Sequence, residues 1–119
     1  MTNNHGLASL LEPRAVAVLG ASRDPSALGR RIFDAIVSAG YEGSTYAVNP
    51  HADLIGAHPC VPSARSLPPG VDLAVIAVPR DLVLSAIDDC AAARIPSVVV
   101  ITAGIRAAAQ SSKIGRAHV

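Results

Sequence analysis

The chain has 119 residues, half of them apolar and only 3% aromatic, with a formal charge of +1. That is the length of one small domain whose core must be built from Ala, Val, Ile and Leu. The balanced charge excludes the footprint of a nucleic-acid or anionic-membrane binder, and apolar runs of about eight residues are too short to span a bilayer.

Residues 7–11 form a short apolar patch, about one helical turn, closed by Pro13. Ala15 to Leu19 is wholly apolar, as expected of a strand buried on both faces of a parallel sheet. Residues 20–28 read as a glycine-bearing loop. The stretch 30–39 reads as a helix, with Ile32, Phe33, Ile36 and Val37 on one stripe and Gly40 as its stop. Ser44 to Val48 is the second strand, ended by Asn49-Pro50. Residues 51–62 look irregular, with a short strand around 57–60. A helical turn at 63–67 precedes the breaker Pro68-Pro69-Gly70.

Residues 73–78 read as the third strand and 81–93 as a second helix, with Val83, Ile87, Cys90 and Ala91 on its packed face and Asp81 at its positive end. Residues 97–101 form the fourth strand, and Thr102-Ala103-Gly104 opens another loop. Strands alternating with helices predict an α/β domain: a Rossmann-like parallel sheet with flanking helices. Right-handed crossovers bring the C-terminal ends of all strands to one rim, where ligands of such sheets bind.

Gly20 suits a strand-to-helix turn, and the amides at the following helix start favour phosphate. Ser22 adds a hydroxyl, and Gly29 permits close approach of a ligand or a strand. A plain structural turn is the alternative. The dinucleotide fingerprint Gly-x-Gly-x-x-Gly is absent, since positions 20, 22 and 25 hold Gly, Ser and Pro. The acidic ribose partner expected at the end of strand two is replaced by Val48-Asn49-Pro50. A nicotinamide module is therefore disfavoured, although a 2′-phosphate reader stays open through Arg23, Arg30 and Arg31. Arg30 and Arg31 oppose the helix dipole, which is explained either by a nearby anion or by a solvated helix face.

No catalytic or metal-binding set is expected. His5, His51, His58 and His118 lack telling neighbours and are expected at the solvent, as are Asp88 and Asp89. Cys60 and Cys90 are expected as free, buried thiols of a cytoplasmic protein, and Met1-Thr2-Asn3-Asn4-His5 lacks the features of a secretory signal.

Five motifs in order carry a family resemblance: Leu10 to Ser22, then Pro25 and Gly29, then Tyr46 to Pro50, Val71 to Pro79, and Val100 to Gly104. Over residues 7–106 the chain resembles the N-terminal CoA-binding domain of ADP-forming acyl-CoA synthetases. Acetate–CoA ligase is the best-known member, and the succinyl-CoA synthetase α subunit is more distant. The resemblance implies coenzyme A, or an acyl-CoA, held at the rim. Gly20, Ala21, Ser22 and Arg23 would cradle phosphates. Val48, Asn49 and Pro50 would line the adenosine side, Val78 and Pro79 the pantetheine arm, and Ile101, Thr102 and Ala103 the end of strand four. Succinyl-CoA relatives carry Glu where Ala103 stands. In the family a phosphohistidine and an ATP-grasp unit reside in later domains, so this stretch alone is not expected to complete the acid–thiol ligase reaction. Similar domains also occur fused to protein acetyltransferases or alone, which leaves a regulatory reading open.

The segment Ile114-Gly115-Arg116-Ala117-His118-Val119 matches one reading frame of a common sequencing adapter. Residues 113–119 are therefore expected to be a non-native tail, and 1–112 an incomplete domain lacking its downstream ligase partners. A piece ending there is expected to be poorly soluble or partly unfolded.

Overall fold

A computed structural model describes residues 11–101. The expected segments at 7–10 and 113–119, and the Thr102-Ala103-Gly104 loop, lie outside the described residues. Within them, six strands make one sheet: β1 (Ala15–Leu19), β2 (Ser44–Val48), β3 (Leu54–Ile55), β4 (His58–Val61), β5 (Leu73–Ile76) and β6 (Ser97–Val100). Their order is β3-β4-β2-β1-β5-β6. Every neighbouring pair is parallel except the β3–β4 hairpin at one edge. Helix α1 (Leu28–Ser38) connects β1 to β2, and α2 (Val83–Ala92) connects β5 to β6.

The strand pleat divides the core in two. Ala15, Ala17 and Leu19 of β1 face one side with Ala74, Ile76, and Ala86 and Cys90 of α2. Val18 faces the other side with Ala47, Ile55 and Phe33 of α1. Few aromatics are available, so close packing of small side chains carries the core, and the fully buried Phe33 is its largest member. Truncating Phe33 to Ala would cost about 3–5 kcal/mol. His58 lays its ring edge against Phe33, centroids 5.2 Å apart at 80°. It is half-buried rather than at the solvent as expected.

Other boundaries differ for local reasons. α1 begins two residues before the expected start. α2 begins after a 3-10 turn at Arg80–Leu82, since Leu82 N donates to Pro79 O. On α2 the packed residues are Ala86 and Cys90, while Ala91 is exposed, against expectation. β3 was not expected: two residues are too few to display alternation, and only Gly56, at φ +62°, marks the turn that folds it onto β4. At the base of β1, the buried Asp72 accepts the Arg14 backbone N–H at 2.7 Å.

Candidate functional site

The C-terminal ends of β1, β2, β4 and β5 meet at a cleft of about 450 Å³. Its lining includes Gly20, Val48, Asn49, Pro50, Val78 and Pro79, six residues singled out from sequence. It also includes Pro62, Ser63, Leu82, Ser85 and Asp89, which sequence reasoning missed. These arrive through β4 and α2, and only the tertiary fold brings them to the rim. A larger cavity, about 720 Å³, lies at the opposite edge beside Arg14, Tyr41 and Leu73. It adjoins the starts of the strands, whereas a parallel sheet gathers its helix N-termini and connecting loops at the other end.

Gly20 is the hinge of the site. Its φ of +96° is left-handed, and a Cβ there would run into the Ala77 carbonyl. Its N–H donates to Val48 O at 3.0 Å, and Ala77 N donates to Leu19 O at 2.8 Å, so the rims of β2, β1 and β5 are bonded together. Gly29 lies at the start of α1 with its Cα against the Gly20 carbonyl, where any Cβ would collide. Its small size therefore serves the approach of helix to loop.

The loop between them is held by its own polar groups. The Ser22 hydroxyl accepts from Asp24 N at 3.0 Å, and Asp24 Oδ1 accepts from Ser26 N at 2.9 Å and from the Ser26 hydroxyl at 2.8 Å. The Ser26 amide, then its hydroxyl, hold the Asp24 carboxyl below the usual carboxylate range. Ala27 N donates to Asp24 O at 3.0 Å. α1 then starts with no side-chain cap and no acidic residue in its first turn, so its positive end and free first-turn amides are left for an external anion.

The remaining candidates fall as follows. The Ala21 side chain is fully buried, so only its backbone is available to the rim. Arg23 and Arg31 are exposed. Arg30 does have an anion beside it, but one from the protein itself: its Nε sits 3.0 Å from both Asp34 carboxylate oxygens, and its Nη1 donates to Arg23 O at 3.0 Å and Ser22 O at 3.4 Å. Ile101 N donates to Ile76 O at 2.8 Å, which extends the β5–β6 register, and its side chain is half-buried. Thr102 and Ala103 lie outside the described residues.

At the end of β2, where a dinucleotide site would present an acid, Asn49 bridges two loops. Its Nδ2 donates to Ala21 O at 2.8 Å and its Oδ1 accepts from His51 N at 2.7 Å, while its own N–H donates to Val61 O at 2.9 Å. Across the cleft, Asp89 is half-buried and accepts from Arg65 Nε at 2.7 Å, so it is not the solvated carboxylate expected. Cys60 and Cys90 are both free; Cys90 is buried as expected, whereas Cys60, on the β4 strand near the sheet edge, is only half-buried. Burial pushes the Cys60 thiol up, and burial followed by the Asp89 charge pushes Cys90 up to about 11, so neither is an activated nucleophile. Among the described residues no group of side chains is arranged to hold a metal ion, and no helix is long and apolar enough to cross a membrane.

Comparison with known proteins matches residues 14–118 to the family described as CoA binding domain. Acetate–CoA ligase [ADP-forming] I of Archaeoglobus fulgidus is 39% identical over 99 residues, covering 83% of this chain and 14% of that protein. Its paralogue, ligase II, is 39% identical over 98 residues, covering 82% of this chain and 15% of that protein. Among solved structures, the apo form of the dinucleotide forming acetyl-coenzyme A synthetase 1 of Ca. Korarchaeum cryptofilum superposes with a TM-score of 0.81 at 43% identity, covering 88% of this chain and 23% of that one. The chain thus spans about one seventh of the length of the curated relatives it matches.

Proposed function

The chain belongs to the CoA-binding domain family, and from that premise we propose that it holds coenzyme A across the C-terminal rim of the sheet, as one domain of an ADP-forming acyl-CoA ligase of the acetate–CoA type. The observation that carries the reading is the uncapped start of α1 behind the Gly20 turn, with Gly20 and, in the place of an acid, Asn49 lining the rim cleft. The helix end supplies amide donors and a positive potential for phosphate. Without a carboxylate at the end of β2, the ribose diol of a nicotinamide dinucleotide lacks its usual charged, bidentate acceptor there.

In this reading the backbone of Gly20, Ala21, Ser22 and Arg23 meets the phosphates, and the exposed Arg23 adds a mobile charge. Pro50 and the Val48–Asn49 backbone border the adenosine. Val78 and Pro79 offer apolar surface to the pantetheine arm, which runs toward Ile101, Thr102 and Ala103. The acyl-transfer chemistry falls to other domains; this one orients CoA so that its thiol reaches them. The two free thiols suit a reducing, cytoplasmic compartment.

Calorimetric titration with CoA and with NADH tests the reading. Saturable CoA binding with no NADH binding supports it, and NADH binding without CoA binding overturns it.

A further inference from the structure

We propose that Asn49 and Arg30 are positioning residues that set the phosphate donors of the first loop by holding its carbonyls from behind; the inference rests on the rim reading above. Three successive carbonyls are held by side chains. Ala21 O accepts from Asn49 Nδ2 at 2.8 Å, Ser22 O from Arg30 Nη1 at 3.4 Å, and Arg23 O from the same Nη1 at 3.0 Å. In a planar trans peptide the N–H points opposite to the C=O. Drawing Ala21 O toward Asn49 therefore turns the Ser22 N–H away from it, and drawing Ser22 O toward Arg30 turns the Arg23 N–H away from that side.

The next amides are already used. Asp24 N goes to the Ser22 hydroxyl, Ser26 N to Asp24 Oδ1, Ala27 N to Asp24 O, and Pro25 has none. Ser22 and Arg23 are thus the two loop amides between 22 and 27 that no acceptor among the described residues takes. Successive free amides of this kind form an anion-binding concavity.

The chemistry of both residues fits holding rather than ligand contact. Asn49 must donate and accept at once, since His51 N fills its Oδ1 at 2.7 Å. One Nδ2 hydrogen and one Oδ1 lone pair are thus engaged within the protein. Arg30 is mostly buried, and its Nε is taken by Asp34. Its fork serves an acid and two carbonyls together, an arrangement that a single ammonium does not reproduce.

Two variants and one measurement on the unaltered chain test the proposal. Asn49→Asp keeps shape and the bond from His51 N, but sets a carboxylate against Ala21 O. CoA and adenosine 3′,5′-bisphosphate should both weaken about tenfold or more, and the downfield shift of the Ser22 amide proton on CoA addition should vanish. Arg30→Lys keeps the charge and should weaken CoA about fivefold; a charge partner of the phosphates would retain full affinity on that change. In the unaltered chain, CoA should move the Ser22 and Arg23 amides and leave the Asn49 side-chain amide signals nearly fixed. Native CoA affinity in both variants overturns the proposal. So does a large Asn49 side-chain shift with Ser22 unmoved, a result that needs neither variant to fold. If the unaltered chain binds no CoA, the rim reading itself fails, and this inference fails with it.

Discussion

Gly29→Ala sets helix propensity against packing. In an open helix the change stabilises by up to about 1 kcal/mol. Here the new methyl would lie 2.6 Å from the Gly20 carbonyl carbon, and nearer still to its oxygen. That is about 1 Å inside van der Waals separation. Both obstructing atoms are backbone, so no rotamer change relieves them. Either α1 slides outward or the Gly20 turn deforms, and the turn is bonded to β2 through Val48 O. Overpacking of this kind costs about 1–3 kcal/mol, which outweighs the propensity gain and leaves a net loss of about 1–2 kcal/mol. For a domain of this size that lowers Tm by about 5–15 °C. Because the displaced atoms belong to the loop proposed to meet the CoA phosphates, CoA affinity should fall several-fold as well. Circular-dichroism melts of the two proteins, each with and without CoA, read both effects. A variant as stable as the parent with unchanged CoA affinity would refute the packing argument.

Asp72→Asn should destabilise by about 1–2 kcal/mol in urea unfolding, because the Arg14 backbone N–H loses a charged acceptor. Arg14→Ala should change stability by less than about 0.5 kcal/mol, since that side chain is exposed and its own contact with Asp72 is 3.5 Å. The raised Cys90 thiol predicts an alkaline limb: the native state favours the protonated form, so its contribution is complete below pH 9.0 and declines as pH rises toward about 11. Cys60 and Tyr41, also pushed up by burial, act in the same direction. Melts from pH 8 to 11 should show Tm falling, with a shallower fall in Cys90→Ala; an unchanged slope would remove Cys90 as a cause. Gly40 sits at φ +82° with open space around it. Gly40→Ala should therefore cost about 1 kcal/mol from backbone strain alone, and Gly40→Asn less.

The continuous apolar run made β1 legible to the residue, because a strand buried on both faces leaves few alternatives, whereas the more polar β2 was marked by its Asn49-Pro50 stop. The rim was legible for the same reason: once the strands are parallel, their C-terminal ends must gather on one side. What sequence could not reveal was how the rim is wired. Asn49 was recognised by the acid it replaces, yet its hold on Ala21 O spans two loops and leaves no trace in spacing. Arg30 looked like an anion partner or a solvated charge because its bonds to the loop carbonyls are tertiary. Gly29 was read as room for a ligand or a strand, and its neighbour is the Gly20 carbonyl. Asp89 sits on a helix whose polar side suggested solvent, until the turn at Ala64–Ser66 brought Arg65 across from it.

A crystal structure of the chain with CoA would locate the ligand. Its phosphates should lie beside the Ser22 and Arg23 amides and the start of α1, with the adenosine toward Pro50 and the pantetheine arm along Val78 and Pro79. Density for CoA at the opposite edge, beside Arg14, Tyr41 and Leu73, would contradict that placement.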